Sequence, residues 1–350
     1  MRSLTYILLV LWGVVSLVFI LFTVIPGDPA RMMLDQREDS EILTSIRAKY
    51  GLDLPIWKQY AWYLNDLSPV SWHVNAENHV SNLEMRSVIF SVWKNDEAAL
   101  VVKYPYLRTS FQMQDQPVHR IIGNVLSNTV VLAFSSMLLA LVVGIFLGII
   151  AALRSGTWLD QLIALLSTLG MSVPSFLSAI VIAYVFGYLL APITGLSMSG
   201  SLFEWDNFGE NRHLVIKNLI LPSITLGIRP LAVITQLMRS SMLEVLDQDY
   251  MRTARAKGLS LSQQIWRHAL PNALNPVITS ASGWLASMLA GAVFVEYIFG
   301  WNGLGKLIVD ALNNLDLPII MGCVLVVSVF FTFINFAVDY IHKWMDPRIQ

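Results

Sequence analysis

The chain has 350 residues, of which 55% are hydrophobic and 13% charged, with 23 basic and 24 acidic residues and a net charge of −1. Soluble domains carry about 25% charged residues, so this composition excludes an ordinary cytosolic enzyme and equally a disordered chain. The near-neutral balance offers no basis for nucleic-acid binding. The single cysteine, Cys323, excludes an intramolecular disulfide framework and a Cys-cluster metal site, and the six histidines form neither an HExxH pair nor a tight cluster with carboxylates.

An apolar helix needs about 20 residues to cross a bilayer. Leu4 to Ile25 is 22 residues without a charge, longer than the apolar core of a cleaved signal peptide (about 7–15 residues), and is read as a retained first span. Charge-free runs recur at Ile121–Leu153, Gln161–Phe203, Ala269–Val295 and Leu317–Val338, and Asn218–Met238 is interrupted only by Arg229. Pro192, Gly195 and Gly200 break the last third of Gln161–Phe203, so that run is read as one span ending near Leu190. Pro174 predicts a kink within it. Six spans follow, with a first transmembrane helix over 1–25, an extracytoplasmic loop or cap over 26–120, a core of five further helices over 121–341 and a tail over 342–350. With the N-terminus inside, inner segments hold nine Lys and Arg (Arg2, Arg154, Arg239, Arg252, Arg255, Lys257, Arg267, Lys343, Arg348) and short outer loops three (Arg212, Lys217, Lys306). The positive-inside rule therefore places both termini in the cytoplasm of a multi-pass protein of the plasma (bacterial inner) membrane.

The segment from Pro26 to Arg120 carries ten basic and twelve acidic residues together with Trp57, Trp62, Trp72, Trp93, Tyr104 and Tyr106. Disordered linkers lack such aromatics, so a small folded cap is expected, with helices over Glu41–Tyr50 and Ile56–Leu64. The bland alternative is a loop packed on the membrane surface with no role in binding.

The segment 239–276 is more informative. Asp249 is expected to cap a short helix running to Lys257, which Gly258 stops by adopting the left-handed conformation. Ser260-Leu261-Ser262-Gln263 reads as a capping box that starts a second helix at once, and Pro271 and Pro276 mark its end. Two short helices thus meet at a glycine elbow. The small Ala254 and Ala256 allow close approach of another backbone, with Arg252, Arg255 and Lys257 supplying charge around them. From the residues alone, docking into a groove of a cytoplasmic partner and an interfacial helix lying on anionic headgroups are equally open.

At these residues the chain resembles a family. Arg252-Thr253-Ala254, three residues, Gly258, nine residues and His268-Ala269-Leu270-Pro271 follow the spacing of the signature of binding-protein-dependent ABC importer permeases, Glu-Ala-Ala, three residues, Gly, nine residues, Ile-x-Leu-Pro. Arg252, Thr253 and His268 depart from it. The stretch Arg252-Thr253-Ala254-Arg255-Ala256-Lys257-Gly258 is similar to the dipeptide/oligopeptide/nickel branch. So are Ile25-Pro26-Gly27-Asp28-Pro29, Tyr50-Gly51-Leu52-Asp53 with Pro55, Pro117-Val118, the turn from Glu296 to Gly305 with Asn302 where the family has proline, and Asp346-Pro347-Arg348. About 40 residues between Leu67 and Tyr106 do not fit the usual family loop.

The resemblance implies an all-α polytopic membrane protein, the six-helix permease of a type I ABC importer with an extracytoplasmic cap after helix one, carrying di- or oligopeptides, or nickel or another small solute. It implies a second permease subunit, two ATP-binding cassette subunits and an extracytoplasmic solute-binding protein as partners within the lipid bilayer. No cofactor is expected in this chain, ATP and Mg belonging to the ATPase. The ATPase-coupling loop would comprise Arg252, Thr253, Ala254, Arg255, Ala256, Lys257, Gly258, Leu270 and Pro271.

Gly300 through Leu307 meets the spacing GxxxxGK, but Leu307 stands where a P-loop needs Ser or Thr and the segment is read as lying outside the membrane, where ATP is not expected, so a structural turn is expected. Arg229 is the one ionisable residue inside a span. A central arginine costs about 2.5–3.5 kcal/mol on insertion scales; it either lines the pathway, attracting a carboxylate, or pairs with a carbonyl or a partner's acid. Gly227 and Pro230 suggest a local break in its helix. Gly144 and Gly148 form a GxxxG pattern, read as internal packing over a dimer interface. An intramembrane enzyme would need catalytic pairs absent from the spans, and an ion-coupled transporter would need internal repeats and mid-membrane acids.

Overall fold

The computed structural model describes residues 2–24, 29–32, 40–74, 80, 81, 83, 86–113, 116–206 and 208–345. The motifs over 25–28 and 346–350 lie outside the described residues. The chain divides into two compact units, Met1–Val125 with Leu307–Ser328, and Leu126–Lys306 with Val329–Gln350.

In the first unit, α1 (Arg2–Val24), α2 (Pro29–Met32), α3 (Ser40–Tyr50) and α4 (Ile56–Leu67) precede three strands, β1 (Val70–Val74), β2 (Val88–Lys94) and β3 (Ala98–Lys103). The two helices expected in the cap are thus present as α3 and α4. Val15 and Val18 of α1 pack with Tyr63 of α4 and Met321, and Phe19 lies against the rings of Tyr60 and Tyr63.

The strands correct the expectation of an all-α chain. They form an antiparallel sheet in the order β1-β3-β2, built from the residues that did not fit the family loop. Val-Ile-Phe-Ser-Val-Trp and Ala-Ala-Leu-Val-Val are rich in β-branched and aromatic side chains, and β3 alternates faces with period 2, burying Ala99, Val101 and Lys103. On the other face Trp72 and Trp93 stack at 5.5 Å, both opposite Leu100 of β3.

The buried side of this sheet carries charge. The Asp66 carboxylate accepts from Arg86 at 2.7 Å and Arg108 at 2.9 Å, and the Lys103 ammonium donates to the Asp66 and Ser68 carbonyls. One carboxylate thus pairs with two guanidinium groups, with a third cation held close by on backbone carbonyls. Burial pushes Lys103 down to about 8, Asp66 opposing the shift and Arg86 adding to it. The folded value lies below the unfolded one of about 10.4, so the unfolded chain binds more protons between pH 8 and 10.4. The packing around this sheet should therefore gain stability as pH rises through that window. Amide-exchange protection of β3, corrected for intrinsic rates, is expected to increase from pH 8 to 10, and Lys103→Met should flatten the dependence; an equal slope in the variant would assign it to another group.

The second unit begins within α5 (Val118–Leu153), followed by α6 (Trp158–Ser172) and α7 (Ser175–Tyr184), a π-helical stretch Val185–Leu189, α8 (Ala191–Thr194) and a hairpin of β4 (Phe203–Trp205) with β5 (Arg212–Leu214). Then come α9 (Lys217–Leu246), α10 (Asp249–Ala256), α11 (Leu261–Gln263), a second π stretch Gln264–Ala269, α12 (Leu270–Gly291) and α13 (Val293–Ile298). The chain closes with α14 (Leu304–Asn313) and α15 (Leu317–Met345).

Among the described residues, Val118–Leu153, Lys217–Leu246 and Leu317–Ala337 are long and apolar enough to cross a membrane, and α6 with α7 make a fourth if that pair, bent by 107°, is one span. The bend falls at Val173-Pro174, where Val173 is extended (φ −77°, ψ 128°), as a residue before proline prefers. In α1 the apolar stretch is Leu9–Leu21.

Helix α9 is the centre of the second unit, packed against α6, α7 and α12. A Cβ on Gly144 would come 3.0 Å from the Leu231 carbonyl, and one on Gly148 2.8 Å from the Thr235 carbonyl. The GxxxG pair of α5 is therefore spent on close internal packing against α9. The expected break in α9 is absent: Pro222 and Pro230 both lie inside a continuous helix. Proline deletes one helical hydrogen bond, and here Pro222 and Pro230 are buried among neighbouring helices, whose packing holds the helix together.

Candidate functional site

The elbow forms as expected, with changes in detail. Helix α10 is capped by Gln248, which makes no side-chain cap hydrogen bond, and Asp249 is its first helical residue. Asp249 serves there as an acid in the first turn, where it complements the helix dipole. At the other end Gly258 has φ +76°. Its N–H reaches the Arg255 carbonyl at 3.0 Å, and the Leu259 N–H reaches that of Ala254 at 3.3 Å, the paired bonds of a Schellman motif. The capping box is present: the Gln263 N–H donates to Ser260 Oγ at 3.4 Å and the Ser260 N–H to Gln263 Oε1 at 3.1 Å.

The return differs. Pro271 and Pro276 do not end the second helix; they lie within α12, which continues directly from the π stretch. Pro271 offers no N–H to the preceding turn, and the chain widens into a π turn just before it. Asn272 Nδ2 donates to the His268 carbonyl there at 2.8 Å. The elbow is thus rooted in a long helix.

Met251, Ala254, Ile265 and Ala269 are buried, and α10 packs against the π stretch. Ala254 therefore lies on the packed side of the elbow. Arg252, Thr253, Arg255, Ala256, Lys257, Gly258 and Pro271 are exposed, and Leu270 is half-buried. Arg255 donates to the Leu246 carbonyl at 3.0 Å, tying α10 to the end of α9, and Arg252 lies 3.4 Å from Asp247 and from Asp249. Around them Tyr250, Leu261 and Trp266 are exposed apolar surface. The result is a self-supported knuckle with a basic and aromatic exterior.

One feature near it escaped sequence reasoning. Asp160, at the start of α6, accepts from Arg239 of α9 at 2.6 and 2.8 Å and from the Gly156 N–H at 3.0 Å. Asp160 stands just outside a charge-free run and Arg239 counts only as an inner charge, so only the fold joins them. Bidentate pairing of this kind fixes one helix end against another. Arg239 keeps 33% of its side chain exposed, so Asp160→Asn is expected to cost on the order of 1–3 kcal/mol, less than breaking a fully buried pair. Thermal unfolding of the purified protein measures this.

The Glu296–Gly305 segment is a buried turn. Glu296 accepts from Thr129 Oγ1 at 2.7 Å, the Gly305 N–H at 2.6 Å and the Lys306 N–H at 3.3 Å, a carboxylate at the N-terminus of α14. Trp301 donates to the Asn128 carbonyl at 3.1 Å and Asn128 Nδ2 to the Asn302 carbonyl at 2.6 Å. A helix, α13, precedes this segment where a P-loop would have a strand. Its GxxxxGK spacing is a turn wrapped around Glu296.

Arg229 is exposed on α9, and no hydrogen bond or ion pair to it occurs among the described residues. Val233, Gln236 and Ser240 follow it at helical spacing and line a 440 Å³ cavity with Ser167 and Met171 of α6.

Residues 144–350 match the family of binding-protein-dependent transport system inner membrane components, and residues 1–81 the N-terminal part of such membrane components. The chain belongs to this family and is an inner-membrane protein. It is 32% identical over 367 residues to the dipeptide transport system permease protein DppB of Alkalihalophilus pseudofirmus, covering 100% of this chain and 98% of that protein. It is 34% identical over 359 residues to the probable D,D-dipeptide transport system permease protein DdpB of Escherichia coli K12, covering 98% and 94%. Among solved structures, a chain of the inward-facing MetNI methionine ABC transporter superposes with a TM-score of 0.53 at 16% identity, covering 67% of this chain and 100% of that one; the two share a fold.

Proposed function

We propose that this chain is a permease subunit of an ATP-driven importer of di- or oligopeptides. It crosses the membrane six times with both termini in the cytoplasm and its cap outside. It pairs with a second permease, receives cargo from a solute-binding protein and engages two separate ATP-hydrolysing subunits through Arg252–Pro271. The observation that carries the cargo class is identity of 32–34% over at least 98% of the chain to relatives named as dipeptide permeases.

The elbow's construction supports the coupling role. A knuckle held by a Schellman motif, a capping box and buried Met251 and Ile265 moves as one piece. Because α10 follows α9 and the π stretch runs into α12, a push on the knuckle reaches two packed helices of the unit. ATP binding closes the partner ATPases, and the docked knuckle carries that closure into a rigid-body change of access across the membrane. This chain's residues dock and transmit; the chemistry of ATP and Mg stays with the partner.

Co-purification from the native membrane tests this reading. A second permease and ATP-binding subunits are expected to accompany the chain, and a peptide-loaded binding protein should stimulate ATP hydrolysis by the reconstituted complex. Isolation without any ATP-hydrolysing subunit, or stimulation only by a non-peptide cargo, would contradict it.

A further inference from the structure

We infer that α9 carries a carboxylate-binding station for cargo, built on Arg229, on the face that continues through Val233, Gln236 and Ser240; this rests on the permease reading above. Residues 229, 233, 236 and 240 recur every three or four positions and so share one stripe of a helix. On the opposite side of the helix Gly227, Pro230, Ile234 and Met238 are buried, whereas on the stripe Arg229 and Ser240 are exposed and Val233 and Gln236, half-buried, line the cavity shared with α6. Arg229 lies 12 residues after the first residue of α9 and 17 before its last, well inside the span. An exposed guanidinium at that depth does not face lipid; it faces water or a counter-charge.

Among the described residues no acid pairs with it, and Glu296 of the neighbouring α13 is held by Thr129. Among the described residues of α1, α5, α6, α7, α9, α12 and the span Leu317–Ala337, the acids are Asp160 and Glu244. Asp160 is held by Arg239. Glu244 is 15 positions further along α9, roughly 22 Å at 1.5 Å per residue. A second copy of the same chain offers the same two. With no acid of this chain in reach, the charge that meets Arg229 arrives with the cargo, since a guanidinium fork matches a carboxylate in two parallel hydrogen bonds; an acid of a different second permease is the alternative that the test separates. Gln236 stands on the same stripe roughly 10 Å beyond, the length of about three extended residues, and its amide offers both a donor and an acceptor. The stripe thus suits a short peptide with a free C-terminus and does not suit a bare cation.

The binding protein delivering the cargo also selects it, so the test is a cycle. Uptake of trialanine and of trialanine amide is measured in proteoliposomes holding the complete complex and its binding protein, with Arg229 and with Arg229→Gln. If Arg229 reads the carboxylate, amidation lowers uptake about tenfold more in the unmodified complex than in the variant, because the two changes remove the same contact. Equal amidation factors in both complexes overturn the inference; that includes the case in which Arg229 pairs with an acid of the other permease, where both peptides fall together. Should Arg229→Gln fail to assemble, Arg229→Lys keeps the charge but loses the fork. With it the amidation factor is expected to shrink, and an unchanged factor overturns the inference. A wild-type complex that moves neither peptide overturns the permease reading and this inference with it.

Discussion

Replacing Gly305 by alanine is expected to prevent the protein from accumulating in its folded form. A Cβ there would overlap the Cα of Val293 and come within 2.9 Å of Glu296 Oε2. The first obstacle is backbone, which cannot rotate away. The second is the carboxylate that holds the start of α14. Relief of either requires moving α13 from α14, and with it the buried Trp301 and Phe299, 0% and 1% exposed. Overpacking of a core costs about 1–3 kcal/mol when side chains can yield; with backbone as the obstacle, and Glu296 left buried without its donors, the loss exceeds that range. Gly303→Ala should cost less, since its Cβ would overlap only the carboxylate end of the Glu296 side chain, which can shift where backbone cannot. Gly283→Ala is the control: nothing lies within 4 Å of the position, and alanine in a helix gains about 0.5–1 kcal/mol over glycine. Folded yield and melting temperature in detergent separate the three.

Gly258→Val is expected to disconnect ATP hydrolysis from transport. Nothing lies within 4 Å of a Cβ at Gly258, whose φ is +76°, so the cost is purely conformational. A non-glycine residue in the left-handed region costs about 1–2 kcal/mol, and a β-branched one is a genuine outlier there. The relief available is to unwind the end of α10, releasing the bonds from Gly258 and Leu259 to the last carbonyls of that helix. Met251 and Ile265 of the elbow join the core of the second unit, but most of that core lies on α5, α9 and α12, so assembly should survive while peptide moved per ATP hydrolysed falls by tenfold or more. Unchanged stoichiometry in an assembled Gly258→Val complex would remove the elbow from the mechanism. Gly258→Asn, which tolerates the left-handed conformation, should retain most of the coupling.

The parts of this protein that were legible in the sequence are those set by local chemistry. Charge-free runs marked the long helices. Ser260 and Gln263 announced their capping box, Gly258 its turn, and Pro174 its bend. What escaped depends on the partners a residue finds in three dimensions. Pro230 breaks an isolated helix but not one gripped by three neighbours. That Ala254 is buried while Ala256, two positions on, is exposed follows from how α10 packs against the π stretch. Asp160 and Arg239 are 79 positions apart and carry no joint signal. The sheet was legible in principle, since Val-Ile-Phe-Ser-Val-Trp and Ala-Ala-Leu-Val-Val flank the short turn at 95–97. Neither run alternates apolar with polar residues, so the period-2 signal of a half-buried strand is weak in both.

The central claim, that the elbow meets a separate ATPase on the cytoplasmic side, is tested most directly by a cysteine on the exposed side of α10. With Cys323, the chain's single cysteine, replaced by alanine, Ala256→Cys is introduced and the complex is treated with a short bifunctional thiol–amine crosslinker, with and without ATP. The account predicts a crosslink to the ATP-binding subunit whose yield changes with nucleotide. Labelling of that cysteine by a membrane-impermeant reagent added outside intact cells, or the absence of any crosslink to an ATP-binding subunit in either state, would contradict it.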